Sequence, residues 1–306
     1  MKGLLITGGS GLLGANVAVA AKSRFNVYAT YNKHRINIDG VECLLLDIRE
    51  HRAVCETVDE IKPQYIIHCA AMSDVDQCER DIEEAYRLNV IASRNVAESA
   101  KRIGAHFIYI STDSVFDGLK DRYSEEDTPN PINVYADTKH KAELAVLEWV
   151  PSACVVRTNI YGWNTQNKLS LAEWFWKNLH EKQRIRGFDD VYFTPVLVNN
   201  LADVLLELLH KRFSGIYHVA GNDRISKYEF GAKIASIFGL SGDYLEPISV
   251  ATHCFAARRP QDTSLNSSRI KSLLSTKLYG VDEGLQLFKK LLDTGYVEKL
   301  KGYCHG

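Results

Sequence analysis

Short apolar runs alternate with longer amphipathic stretches along the first half of the chain. Leu4-Leu5-Ile6 opens the series, followed by a cluster of glycines and a helical pattern to about Lys22. Asn26–Thr30, Cys43–Leu46, Tyr65–Cys69, Phe107–Ile110 and Cys154–Val156 read as further strands. His51–Lys62, Asp81–Ile103 and Val134–Val150 carry helical spacing between the later ones. Strands without a polar face must be covered on both sides, and helices between successive strands supply that cover. The pattern predicts an α/β fold built on a doubly wound parallel sheet of the Rossmann type.

The second half is less regular. Leu169–Lys182, Asn199–Arg212 and Ser226–Phe238 look helical, and Gly215–Val219 reads as a late strand. No linker rich in Gly, Ser or Pro separates the halves, so a smaller C-terminal substrate domain is expected to interleave with the first. The expected division gives residues 1–157 plus about 190–220 to the dinucleotide-binding domain, and about 158–189 plus 221–306 to the substrate domain. No internal repeat is present.

Composition narrows the function. The 306 residues are 45% hydrophobic and 25% charged with seven prolines, which excludes disordered and fibrous classes. Lys plus Arg is 37 against 38 for Asp plus Glu, a net charge of −1 that argues against a nucleic-acid partner. Seven cysteines are widely spaced with no CxxC, and none of the ten histidines forms an HxxxH pair, so neither a disulfide framework nor a zinc site is expected. Most of the thiols are expected to act as small core hydrophobes in a reducing cytoplasm. Gly3–Ala21 is uncharged and ends near Ala18-Val19-Ala20, like a signal peptide. Gly8, Gly9, Gly11 and Gly14 interrupt the helix that such a signal needs. No stretch reaches the ~20 apolar residues of a membrane span.

Gly8, Ser10, Gly11, Leu12, Leu13 and Gly14 lie between the first strand and the first helix. Glycine there permits a tight turn and lets backbone N–H groups approach a pyrophosphate, while the helix N-terminus adds positive potential. An NAD site usually places an acid at the end of the second strand for the ribose 2′-hydroxyl. Here Tyr31-Asn32 is followed by Lys33, His34 and Arg35, with no carboxylate. That suits a 2′-phosphate, so NADP(H) is the preferred cofactor and NAD(H) the alternative. Asp47 and Ile48 fall where the adenine would lie, Ala70 and Ala71 pass beneath the cofactor, and Asn89 completes the expected cofactor set.

Tyr135 and Lys139 are four residues apart on one helical face. Theirs is the one Tyr-x-x-x-Lys among 15 tyrosines, and it follows a strand that ends in Ser111-Thr112-Asp113. A phenol of pKa ~10 needs lowering by about three units, roughly 4 kcal/mol, to exchange protons near neutrality. An ammonium ~4 Å away supplies about that much at an effective dielectric of ~20. Tyr135 is thus expected to protonate a carbonyl oxygen that Thr112 also hydrogen-bonds, with Lys139 holding the nicotinamide ribose.

Together these residues resemble an extended short-chain dehydrogenase/reductase, and more narrowly the dTDP-4-dehydrorhamnose reductase family. Ala70-Ala71 with Val75-Asp76 and Glu79, Val115-Phe116-Asp117-Gly118, Pro131-x-Asn133-Val134-Tyr135, Arg157-Thr158, Leu201-Ala202-Asp203 and Arg258-Arg259-Pro260 with Leu265-Asn266 carry the likeness. The resemblance implies reduction of the 4-keto group of a nucleotide-activated deoxysugar, with Thr112, Asp113 and Arg259 toward the substrate. Sugar-facing positions depart from the family pattern. Asn159-Ile160-Tyr161-Gly162 replaces a Ser-Trp-Val-Tyr run, Val191–Pro195 replaces a Gln-x-Gly-x-Pro-Thr-like segment, and Ser114 stands for a tyrosine.

Ser114 also argues against the related 4,6-dehydratases, which carry Glu there. No Cys lies between Ser111 and Gly118, as related C3/C5 epimerase/reductases require. Two alternatives stay open. One is a 4-epimerase; the other is a noncatalytic NADP-binding subunit like the regulatory β subunit of methionine adenosyltransferase, which resembles the same family. Related enzymes often dimerise through sheet-flanking helices, and a homodimer is compatible with that resemblance.

Overall fold

In the computed structural model, which describes residues 1–304, seven parallel strands form the central sheet. They are β1 (Gly3–Thr7), β2 (Asn26–Tyr31), β3 (Glu42–Leu45), β4 (Tyr65–His68), β5 (His106–Ile110), β6 (Cys154–Arg157) and a last strand, Gly215–His218. From one edge the order is Gly215–His218, β6, β5, β4, β1, β2, β3. Leu4 lies opposite Val27 on one side and Tyr65 on the other, so β1 is an interior strand. Successive side chains on a strand point to opposite faces. Leu4 and Ile6 therefore join one buried cluster with α1 (Leu12–Ala21) and the helix Val198–Lys211. Leu5 joins a second, against α2 (His51–Ile61) and helices described next.

The stretch read as one helix from Asp81 is broken into pieces. After α3 (Val75–Arg80), the chain forms α4 (Ile82–Tyr86), a π-turn over Arg87–Ile91, and α5 (Ala92–Ile103). The π-turn holds Asn89 inward, where its amide accepts from the Met72 N–H at 2.8 Å and donates to Thr138 at 3.0 Å. Such bulges commonly mark places where a side chain must be aimed. Next, α6 (Val134–Trp149) packs beside α5, its first turn capped by Asn133.

The second half adds three two-stranded sheets that the sequence pattern did not reveal, because each strand is only two to four residues long. Ile160–Tyr161 pairs with Val196–Leu197, Tyr192–Phe193 with Ile225–Ser226, and Ile185–Phe188 with Leu245–Ile248. Trp163 is core: it is 1% exposed and stacks on Phe288 at 4.1 Å. The expectation for the cysteines holds in part, since Cys43 and Cys69 pack against the core beside the two buried thiols. Only Cys78 and Cys154 are buried, Cys254 is exposed and the rest are half-buried. Among the described residues, no helix is long and apolar enough to cross a membrane, and no cluster of His, Cys, Asp or Glu could hold a metal ion.

Candidate functional site

Strand order reverses between β1 and β4, and in open α/β sheets the crevice beyond the strand ends at that point takes the ligand. Here it is a cleft of about 950 Å³ running from Lys33 and His34, past the glycine turn, to Thr112, Tyr135 and Lys139.

Three of the turn's four glycines have different reasons to be glycine. Gly8 has a φ of +72°, and a Cβ there would stand 2.8 Å from the Ala70 backbone. At Gly14 a Cβ would meet the Gly8 carbonyl oxygen at 2.2 Å, so only glycine lets α1 start against the turn. Gly11 is the N-cap of α1 in extended conformation, and its Cβ would meet nothing nearer than 3.3 Å. The protein's own packing nearly tolerates a methyl group at Gly11. Its side opens on the cleft, where a bound group would need the room. The first turn of α1 holds no acid, which leaves its N-terminal potential free for an anion.

At the adenosine end, Lys33 and His34 line the cleft, but Arg35 is exposed outside it. Arg49 lines it as well, a cation that sequence reading missed. Arg49 is clamped between Asp47, whose Oδ1 accepts from Nε at 2.8 Å, and Glu84. Asp47 is consumed by that clamp and does not line the cleft, whereas Ile48 does. The Arg49 hydrogen bond holds the Asp47 carboxyl below the usual carboxylate range. Ser10, Leu12, Leu13, Ala70 and Ala71 all line the cleft; Asn89 lies behind it, holding the Met72 loop rather than facing the ligand space.

At the other end, Thr112 accepts from the Ser114 N–H at 3.2 Å and so caps a short turn. Tyr135 and Lys139 project from the first turns of α6 toward Thr112. The expected coupling of Tyr135 to Lys139 is not what sets their ionisation. Burial pushes the Tyr135 phenol up to about 12, opposed by a hydrogen bond with Thr112. Burial likewise pulls Lys139 down to about 7. The Lys139 ammonium donates to the Ile110 carbonyl at 2.7 Å and sits 4.2 Å from the centre of the Tyr109 ring. Tyr135 is thus held as a neutral phenol, the form that donates a proton.

Asp113 is fully buried and filled. Its Oδ2 accepts from Thr263 at 2.5 Å and Asn159 at 2.7 Å, and its Oδ1 from Thr112 at 3.1 Å and Ser114 at 3.2 Å. Arg259, expected at the substrate, bonds Asp76 at 2.8 Å, lies 4.9 Å from the Phe255 ring, and does not line the cleft. Beneath the site Arg157, 2% exposed, donates to Glu143 at 2.9 and 2.7 Å and ties β6 to α6. Burial alone would raise the Glu143 carboxyl, but hydrogen bonds from His140, Arg157 and Ser111 outweigh it and hold it low.

Known proteins share this architecture. The sequence model of the family described as the RmlD substrate binding domain matches residues 1–293. The β subunit of methionine adenosyltransferase 2 from Bos taurus is 34% identical over 280 residues, covering 88% of this chain and 82% of its own. The crystal structure of a hypothetical dTDP-4-dehydrorhamnose reductase from Sulfolobus tokodaii superposes with a TM-score of 0.84 at 36% identity, over 93% of this chain and 99% of that one. The dTDP-4-dehydrorhamnose reductase of Bacillus anthracis, solved in complex with NADP, gives 0.82 at 30% identity over 95% and 99%.

Proposed function

The chain belongs to the RmlD substrate-binding-domain family within the extended short-chain dehydrogenase/reductases, and from that premise we propose that it is an NADP-dependent reductase of a nucleotide 4-ketosugar. The observation that carries this reading is the meeting of the glycine turn with Thr112, Tyr135 and Lys139 in one cleft at the strand-order reversal. The residues suit the cofactor: the open side of Gly11 and the acid-free start of α1 accept a pyrophosphate, and Lys33 with Arg49 accepts a 2′-phosphate. NADPH would supply the hydride when bound; the Bacillus anthracis relative was solved in complex with NADP. NADH is the weaker alternative.

The chain's own groups do the remaining work. Tyr135 gives its phenolic proton to the carbonyl oxygen as negative charge develops there, and Thr112, whose hydroxyl hydrogen rests on Asp113, would turn it to that oxygen to orient the substrate. Lys139 sits beside that transfer and steadies the phenolate left behind. Asp113 acts as a brace, since four donors already occupy its oxygens. The division into a dinucleotide-binding unit, residues 1–157 plus about 190–220, and a substrate-gripping remainder belongs to the same proposal.

A second reading follows from the 34% identity to a methionine adenosyltransferase β subunit: a noncatalytic, NADP-binding partner of another enzyme. A panel of nucleotide 4-ketosugars, assayed for NADPH consumption by the purified chain, separates the two. Turnover with any member supports the reductase. Tight NADPH binding with no turnover across the panel sinks it and favours the regulatory subunit.

A further inference from the structure

The loop 164–170 crosses the cleft at the glycine turn. One buried carboxylate ties its two ends together. Glu173, 1% exposed, accepts the Asn164 N–H on Oε1 at 3.0 Å and the Ser170 N–H on Oε2 at 2.8 Å. The Asn164 side chain knots the interior, donating to the Lys168 carbonyl at 2.7 Å and accepting from the Gln166 N–H at 3.3 Å. Two donors dock the loop on one acceptor: Thr165 Oγ1 and Gln166 Nε2 lie 2.8 and 2.7 Å from the Ser10 carbonyl oxygen. Its far side reaches the segment after β4, where the Lys168 ammonium donates to Ser73 Oγ at 3.2 Å.

Every part of this bridge lines the cleft: Ser10 on one side, Ser73 on the other, and Gln166 and Lys168 between them. The two sides are the turn after β1 and the segment after β4, the strands between which the order reverses. A bare Ser10 carbonyl would repel an anion lying along the turn, and two donors on its lone pairs offset that repulsion. Lys168 is exposed, holds only a neutral hydroxyl and makes no ion pair among the described residues. The acids on its side of the cleft are engaged elsewhere. Asp74 Oδ1 takes the Gln77 N–H at 2.8 Å, Asp81 Oδ1 the Glu84 N–H at 3.1 Å, and Glu84 holds Arg49 and Arg87.

We infer that the loop 164–170 straps the bound dinucleotide at its diphosphate, with Lys168 leaving Ser73 for the diphosphate oxygens. The glycine turn and the start of α1 offer the diphosphate backbone N–H groups but no full charge. Lys168 adds that charge from the exposed side of the cleft, where an ionic hydrogen bond is stronger than the one to a serine hydroxyl. Glu173 and Asn164 already fix the loop backbone, so little order remains to be imposed when the ammonium swings across. The inference rests on the dinucleotide site of the proposed reductase and not on its ketosugar.

Fluorescence titration of NADPH and NADH, with stopped-flow measurement of their release, tests it. Both cofactors carry the diphosphate and only NADPH the 2′-phosphate. Lys168→Met should therefore weaken both alike, by roughly tenfold, while Lys168→Arg stays within about threefold of wild type. The loss should appear as faster release, because a contact made in the complex acts on dissociation, whereas a charge that only steers the cofactor acts on association. Lys168 is exposed, so the unfolding midpoint of the ligand-free chain should stay within about 2 °C. Unchanged affinity in Lys168→Met overturns the inference. So does a loss confined to NADPH, which would give Lys168 to the 2′-phosphate, or a loss carried by association alone. No arm uses a sugar, so a chain that behaves as expected here but reduces no ketosugar contradicts the reductase reading alone.

Discussion

Gly14 stands so close to Gly8 that a Cβ on it would lie 2.2 Å from the Gly8 carbonyl oxygen, while at Gly11 the same oxygen would be 3.3 Å away. One motif therefore contains a packing glycine and a ligand glycine. Gly14→Ala must push α1 from the turn and should lower the unfolding midpoint by roughly 5 °C or more. Gly11→Ala should leave the midpoint within about 2 °C yet weaken NADPH by about tenfold, measured by fluorescence titration. Unchanged NADPH affinity in Gly11→Ala would mean that the open side of that glycine does not receive the pyrophosphate.

Selectivity for the 2′-phosphate should follow the cleft rather than the charge run in the sequence. Lys33 lines the cleft and Arg35 does not. Lys33→Ala should cut NADPH affinity by about tenfold while NADH changes little, because a single charge-assisted contact to phosphate is lost. Arg35→Ala should alter neither. Arg35→Ala matching Lys33→Ala would restore the reading taken from the sequence.

The difference between those two residues marks where the sequence stopped being legible. The sheet could be read because strands apolar on both faces leave few alternatives, and the glycine turn because its context was local. Tyr135 and Lys139 were found for the same reason, being four apart on one helix. Arg49 was invisible, since its place in the cleft depends on Asp47 and on Glu84, which is 35 residues away. Arg259 was placed at the substrate by resemblance, but its guanidinium is engaged by Asp76, 183 residues earlier. Long-range pairings of this kind leave no periodic trace in the chain.

The buried His68 should make the fold acid-sensitive. Its nitrogens meet Thr7 at 2.6 Å and Ser93 at 2.9 Å, and burial pulls it from the ordinary 6.5 to about 3. The imidazole stays neutral in the fold, so below pH 6.5 protons bind preferentially to the unfolded chain. Stability is full above that pH and falls as pH drops toward 3, by about 2–3 kcal/mol at pH ~4.5. Urea unfolding across this range should show the fall in wild type and a shallower one in His68→Gln. Parallel curves would mean that His68 is protonated in the folded chain.

Lys139 should set the alkaline limb of the reaction. With burial holding it near 7, its ammonium is lost as pH rises through that value, while Tyr135, near 12, stays protonated. The kcat/KM for reduction of a ketosugar should therefore decline above pH ~7, and Lys139→Met should be slower at every pH without that decline. A limb that persists in Lys139→Met belongs to another group.

The central claim is that Tyr135 delivers the proton to a sugar carbonyl, and Tyr135→Phe tests it while keeping the ring and its packing. The measurement is the single-turnover rate of NADPH oxidation with an accepted nucleotide 4-ketosugar, alongside NADPH affinity by fluorescence. The account predicts unchanged NADPH binding and a rate lower by about 10²–10⁴, the usual contribution of a positioned general acid, with Thr112→Ala losing less. A Tyr135→Phe rate within a few-fold of wild type would contradict it.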